Sequence, residues 1–113
     1  MVTFEVEGPV EGPSVCHCTQ CRKQSGHLWS SAFAPEDRIV IKGDVRWFEA
    51  TPQAKRGFCP VCGSFLFWKA HDENTMSFAL GAIDGSTGIT LEKHIFTGSK
   101  GDYYNISDGL PQS

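Results

Sequence analysis

The segment Lys55–Trp68, KRGFCPVCGSFLFW, predicts two β-strands joined by a tight turn. Aromatic residues favour strand on either side of the turn, and Gly63 suits the turn's backbone. Cys59 and Cys62 are separated by two residues, so both sulfurs can point at one metal ion, as in a zinc knuckle. We therefore expect a β-hairpin whose tip carries half of a metal site. The alternatives are two buried thiols or a redox-active pair, although redox-active pairs normally open a helix in a β–α–β context that is absent here.

Similar strand patterns recur along the rest of the chain, with apolar and polar residues alternating or with aromatic and β-branched residues enriched. They are VTFEVEG (2–8), DRIVIKG (37–43), DVRWFEA (44–50), TMSFALGAI (75–83), ITLEKHIF (89–96) and DYYNIS (102–107). Gly43–Asp44 suggests a hairpin between the second and third of these. Only TQCRKQSG (19–26) predicts a helical turn. The sequence therefore predicts an all-β fold of packed antiparallel sheets, with zinc-knuckle loops and little helix.

Length and composition indicate one domain spanning residues 1–113. Hydrophobic residues make up 40% of the chain and charged residues 20%, which argues against disorder. The net charge of −3 provides no basic field for a phosphate backbone, so we expect no nucleic-acid partner. No apolar run reaches the length of a membrane span, and the N-terminal residues lack the features of a signal peptide. The odd cysteine count of five argues against a disulfide scaffold and favours a reducing, cytoplasmic location.

A second cysteine cluster, CHCTQC, brings together three thiols within six residues. In an extended chain Cys16 and Cys18 share a face, and Cys21 returns to it after the following turn. The three sulfurs can then bind one ion at Zn–S distances of about 2.3 Å. His17 points to the other face, where we expect it to support the cysteines or to lie at the surface.

Two arrangements of the five cysteines remain open. In the first, Cys18, Cys21, Cys59 and Cys62 form one structural zinc site and Cys16 is spare. In the second, Cys16, Cys18 and Cys21 form an open site and the other pair belongs elsewhere. Spacing slightly favours the first arrangement but does not decide between them.

Several segments together resemble the glutathione-dependent formaldehyde-activating enzyme family, which includes centromere protein V. They are CHCTQCRKQSG (16–26), RGFCPVCGSFLFW (56–68), LGAID (80–84), HIF (94–96) and DYYNISDGLP (102–111), in order over essentially the whole chain. The resemblance implies a fold of the kind called a β-tent. It also implies two zinc ions per chain, one of them at the substrate site on the C-x-C-x2-C motif, here Cys16, Cys18 and Cys21.

The second zinc implied by the resemblance is structural and uses the C-x2-C pair, here Cys59 and Cys62, with a C-x-C-G motif that precedes the first strand. This chain begins MVTFEVEGP without that motif, through loss or a misplaced start codon. The pair would then need water or one of His27, His71 and His94 to complete a site, or would hold no metal.

A three-cysteine zinc site has a vacant fourth position, which is typical of catalytic sites. Its soft ligands suit an exchangeable substrate thiol. The resemblance implies that this thiol is glutathione and that the product is S-hydroxymethylglutathione, which makes the protein a carbon–sulfur lyase-type enzyme. Arg22 and Lys23 follow the cysteines and could bind glutathione's carboxylates. The rival hypothesis is a non-catalytic, zinc-stabilised β module for protein or ligand binding.

Other residues are weaker candidates. Arg56 matches an R-x-F-C pattern of the family and is expected to pair with a buried carboxylate or to face the substrate. Asp84 is expected in a turn and His94 in a strand, partly buried. The larger aromatic residues are assigned to the core or a pocket wall; these are Trp29, Phe33, Trp47, Phe67 and Trp68. A homodimer is expected if a shortened first strand leaves an exposed sheet edge.

Overall fold

The computed structural model describes residues 1–113 and contains nine β-strands and one α-helix. In chain order they are β1 (Thr3–Val6), β2 (Glu11–Cys16), α1 (Thr19–Ser25), β3 (Trp29–Pro35), β4 (Ile39–Lys42), β5 (Arg46–Thr51), β6 (Ala54–Phe58), β7 (Phe65–Ala70), β8 (Thr75–Ala79) and β9 (Lys93–Ile95). Short 3₁₀ turns lie at Glu36–Arg38, Leu80–Ala82 and Thr97–Ser99. The all-β fold with little helix is confirmed. No helix has both the length and the apolar content needed to cross a membrane.

Seven strands form one sheet in the order β5-β6-β7-β8-β3-β2-β9, and β1 pairs with β4 in a separate two-stranded sheet. All pairs are antiparallel except β2 with β9, which is parallel. The hairpin predicted around Cys59 and Cys62 is confirmed, because β6 pairs with β7. The cysteine clusters therefore lie at strand ends in this framework.

The core lies between the two-stranded sheet and the large one. Phe67 and Phe78 are fully buried, and the rings of Phe4 and Phe67 meet edge to face with centroids 5.1 Å apart. Val2 and Ile39, also buried, complete this contact. Full burial of an apolar side chain of this size contributes about 1.5–3 kcal/mol, so these contacts hold the β1–β4 sheet in place.

The predicted hairpin at Gly43–Asp44 is wrong. The strand before the turn, β4, pairs with β1, so that Thr3 lies opposite Lys42 and Val6 lies opposite Ile39, while β5 pairs with β6. Gly43 has a φ of +95° and approaches the backbone of Met1 so closely that a Cβ would lie 2.7 Å from its carbonyl oxygen. The chain thus turns against its own N-terminus instead of folding back on β4. Apolar periodicity indicates that a strand exists, but it does not identify the partner.

Predictions for the C-terminal part were also too regular. DYYNIS forms no strand, and of ITLEKHIF only Lys93–Ile95 does. The carbonyl of Tyr104 instead accepts a bond of 2.5 Å from the Lys100 ammonium, so this backbone group is satisfied without a strand partner. Two strands were missed, β2 and β3. Gly12 and Pro13 make β2 resemble a turn, but they lie where its register with β3 shifts, an interruption that a strand tolerates.

Candidate metal centre

Three cysteine side chains converge where β2 passes into α1. Cys16 ends β2, Cys18 is the N-cap of α1 and Cys21 lies in the first helical turn. The Cys18 sulfur accepts a hydrogen bond of 3.4 Å from the Cys21 N–H, so the helix start fixes the spacing of these two ligands. Gly26 closes the short helix in the left-handed region, with a φ of +82°. All three sulfurs lie within 4.8 Å of one another, an arrangement that could hold a metal ion.

The cluster is predisposed to carry negative charge. A hydrogen bond from the Cys16 thiol, supported by Arg56, lowers the pKa of Cys21 to about 6. The same hydrogen bond to Cys21, together with burial, raises the pKa of Cys16. In the absence of a metal, the hydrogen bond between these two thiols therefore favours the proton on Cys16 and the negative charge on Cys21. A thiolate in place is what metal binding requires.

Arg56 is the buried cation of this cluster, with only 4% of its surface exposed. Its Nη1 lies 3.5 Å from the Cys21 sulfur and 3.2 Å from Gln24 Oε1, and its Nη2 lies 4.0 Å from the Cys18 sulfur. The guanidinium also covers the ring of Phe65 at 5.3 Å. None of the chain's ion pairs involves Arg56, so the thiol groups are its available anionic partners. Three sulfurs beside a buried cation fit a soft divalent ion such as zinc.

A cavity of about 400 Å³ opens onto the cluster, within the usual size range for small-ligand sites. The three cysteines and Arg56 line it. Its apolar wall is formed by Trp29, Phe33, Trp68 and Ile95, and polar side chains are contributed by Gln20, Thr51 and Lys93. A larger groove of about 840 Å³ runs along β1, but no cysteine lines it. The smaller cavity is therefore the one next to reactive groups.

Two buried N–H groups on cavity residues have no hydrogen-bond partner within the chain. They are the indole Nε1 of Trp29 and the guanidinium Nε of Arg56. Trp29 stacks on Phe65 with ring centroids 4.1 Å apart, so the two aromatic rings and Arg56 form one packed unit. Unpartnered buried donors are uncommon in folded proteins, and both belong to residues that line the cavity.

The basic pair after the cysteines lies outside the cavity lining. Arg22 donates from Nε to the Ser99 carbonyl at 3.1 Å, and Lys23 is exposed on α1. The cationic side chains that do line the cavity are those of Arg56 and Lys93. Of the aromatic candidates, Trp29, Phe33 and Trp68 line the cavity, whereas Phe67 and Trp47 pack in the core. Asp84 lines the larger groove.

Cys59 and Cys62 do not join the three-cysteine cluster, so the arrangement with Cys18 and Cys21 is not formed. Cys59 is buried in the main core, where its sulfur accepts a 3.4 Å bond from the Val2 N–H and lies 3.8 Å from Met1 Sδ. Bonds from backbone N–H groups, that of Val2 first, lower its pKa to about 7. Cys62 is exposed and lies 3.2 Å from Ser64 Oγ.

No histidine completes a site with this pair. His27 bonds the Tyr103 hydroxyl at 2.9 Å and His71 bonds Glu49 at 2.6 Å. His94 bonds the Asp108 carboxylate at 2.7 Å and the ring of His17 at 2.8 Å, and the sequence did not predict this side-chain network. No local pattern indicates it, because its members are spread from residue 17 to residue 108.

Comparison with known proteins agrees with the geometry. A family model described as glutathione-dependent formaldehyde-activating enzyme matches residues 1–99. A search of curated proteins found no match. The matched segment contains the whole cysteine cluster and Arg56.

Proposed function

Because the chain belongs to the glutathione-dependent formaldehyde-activating enzyme family, we propose that it catalyses the reversible addition of the glutathione thiol to formaldehyde. The product is S-hydroxymethylglutathione, and the reverse reaction is a carbon–sulfur lyase reaction. One observation supports this most directly: three converging sulfurs and the buried Arg56 line a cavity of small-ligand size. The reaction needs no further co-reactant. The thiol sulfur bonds to the carbonyl carbon, the C=O π electrons move to oxygen, and that oxygen takes the proton lost by the thiol.

Cys16, Cys18 and Cys21 are the proposed metal ligands. When bound, a zinc ion held by three thiolates supplies a fourth position at which a substrate thiol is kept as a thiolate. The protein's part is to hold the three sulfurs together. The hydrogen bond from the Cys21 N–H to the Cys18 sulfur does this along α1, and the end of β2 fixes Cys16.

Arg56 makes the cluster tolerant of a further anionic sulfur. With zinc bound, Cys16, Cys18 and Cys21 as thiolates would give the site a net charge of about −1, and a substrate thiolate would make it about −2. The guanidinium beside Cys21 and Cys18 offsets one of these charges in a region shielded from water. Charge pairs act more strongly there than in bulk water because the effective dielectric constant is lower. The unpartnered Nε of Arg56 is a further donor for a substrate oxygen.

The cavity walls suggest how glutathione is oriented. Trp29, Phe33 and Trp68 give an apolar surface next to the sulfurs, and Lys93 supplies a cation for a substrate carboxylate. Arg22 and Lys23 remain predicted contacts for the ends of glutathione that extend beyond the cavity.

Exchange spectroscopy by NMR tests the activity. Zinc-loaded protein is mixed with glutathione and isotopically labelled formaldehyde, and the exchange rate between free and adducted formaldehyde is measured. We expect a faster exchange than in buffer or with the zinc-treated Cys16→Ser variant. An unchanged rate at full zinc loading would favour the non-catalytic zinc module instead.

Three further properties belong to the proposal. The enzyme acts in the cytoplasm, where glutathione and free thiols coexist. Cys59 and Cys62 retain a structural role at the hairpin tip, and a second metal there requires ligands in addition to these two. A homodimer is predicted through an exposed sheet edge.

A further inference from the structure

His17 lies between two of the proposed ligands, is fully buried and is bonded through both ring nitrogens. Its Nε2 lies 2.8 Å from His94 Nδ1, and its Nδ1 bonds the Tyr104 hydroxyl. His94 continues the series through its Nε2, 2.7 Å from the Asp108 carboxylate. We refer to Tyr104, His17, His94 and Asp108 as the His17 clamp.

With both imidazole rings neutral, the donors and acceptors of the His17 clamp are consistent in one direction. The Asp108 carboxylate accepts, so His94 carries its proton on Nε2 and accepts at Nδ1. His17 then donates from Nε2 and accepts at Nδ1, where the Tyr104 hydroxyl donates.

The outer members of the His17 clamp come from the C-terminal segment, beyond the residues that match the family model. That segment is tied to β9 by its backbone. The His94 N–H donates to the Pro111 carbonyl at 2.9 Å, and the Ser113 N–H donates to the His94 carbonyl at 3.1 Å. The tail thus forms a parallel bridge beside the strand that pairs with β2, which carries Cys16. The segment that carries Tyr104 and Asp108 therefore leaves β9 at one end and is hydrogen-bonded to it at the other.

We propose that the His17 clamp positions the metal ligands, with Tyr104 and Asp108 as positioning residues in the C-terminal segment. A ring held at both nitrogens fixes the backbone between Cys16 and Cys18, and hence the directions of their sulfurs. The His17 N–H also donates to the Ile95 carbonyl at 3.0 Å, which restricts the same peptide. Supporting contacts of this kind matter because a ligand set that is already oriented loses less freedom on binding the ion. This inference rests on the metal site of the proposed function.

The test compares Tyr104→Phe with Tyr103→Phe. The first substitution removes only the hydroxyl that holds His17, and the second removes the neighbouring hydroxyl that bonds the exposed His27. Zinc affinity is measured by competition with a chromophoric chelator, and the absorbance of Co²⁺-loaded protein reports the geometry of the ligands. We expect Tyr104→Phe to weaken zinc binding by about 10- to 100-fold and to shift the Co²⁺ spectrum, and Tyr103→Phe to match the parent protein.

A second pair, Asp108→Ala and Asp102→Ala, covers the case in which Tyr104→Phe does not fold. Asp102 is exposed and forms no ion pair. Parent-like zinc affinity and Co²⁺ spectrum in folded Tyr104→Phe and Asp108→Ala would overturn the inference, even if the parent enzyme accelerates adduct exchange. Conversely, weakened zinc binding in both variants supports the inference even if no exchange activity is found, so the two proposals fail separately.

Discussion

The guanidinium of Arg56 lies 3.5 Å from the sulfur of Cys21, buried and without a carboxylate partner. A buried cation is costly unless an anion accompanies it. The neighbouring thiolates meet that need, and their negative charge in turn requires a cation once three of them surround a metal. Arg56 and the cysteine cluster therefore stabilise each other.

Replacing Arg56 tests this mutual dependence. Arg56→Gln removes the charge and keeps a polar side chain, so we expect zinc affinity to fall by about 10- to 100-fold, the range seen when supporting contacts of a metal site are lost. The pKa of Cys21 should rise at the same time in the metal-free protein, as measured from thiolate absorbance. Arg46→Gln is the control, since Arg46 is exposed on β5. Unchanged affinity and an unchanged Cys21 pKa in Arg56→Gln would contradict this role.

The two cysteine groups should separate in a metal analysis. Cys16→Ser removes one of three converging ligands, so we expect it to lose zinc from the cluster and to lose adduct exchange. Cys62→Ser alters the exposed hairpin tip and should keep both the cluster's zinc and the exchange activity. The opposite pattern would place the functional metal at the hairpin tip.

The pH dependence of stability should change when Asp108 is replaced. The hydrogen bond from His94, followed by the Leu110 N–H, lowers the pKa of Asp108 below its ordinary value. An acid with a lowered folded-state pKa stabilises the fold above its unfolded pKa of about 3.9, and this stabilisation is lost as pH falls through the lower folded value. The melting temperatures of the parent and Asp108→Asn should therefore differ most above about pH 5 and converge below about pH 4. A difference that is independent of pH would argue against an ionised Asp108 partner.

Replacing a buried aromatic residue of the core should lower the stability of the fold far more than replacing an exposed one. Phe67 is fully buried against Phe4, so Phe67→Ala should lower the free energy of unfolding by about 3–5 kcal/mol. Phe48 is 60% exposed, and Phe48→Ala should change it by less than about 0.5 kcal/mol. Chemical denaturation checks both values. Equal losses in the two variants would contradict the assignment of the core to the contact between the two sheets.

The sequence predicted those features that depend on short spacings. The C-x2-C hairpin, the helical turn after Thr19 and the closeness of Cys16, Cys18 and Cys21 all follow from residues within one or two turns of each other. The partner of each strand could not be predicted, as the pairing of β4 with β1 shows. The apolar periodicity of a strand carries no information about which other strand pairs with it.

Long-range contacts were the other gap. Arg56 was only a weak candidate until β6 placed its side chain beside Cys21, 35 residues earlier in the chain. The bond between His17 and Tyr104 joins residues 87 positions apart, and DYYNIS has the composition of a strand although it forms none. The first contact depends on how β6 lies against α1, and the second on how the C-terminal segment packs on β9; no local pattern encodes either.

The most direct test of an open position on the three-cysteine cluster is the absorbance of Co²⁺-loaded protein during titration with glutathione. We expect sulfur-to-metal absorbance to increase and saturate as the substrate thiol adds to the three cysteine sulfurs. S-methylglutathione has no free thiol and should leave the spectrum unchanged. A spectrum that ignores glutathione, or that responds equally to both compounds, would contradict an exchangeable thiol position at Cys16, Cys18 and Cys21.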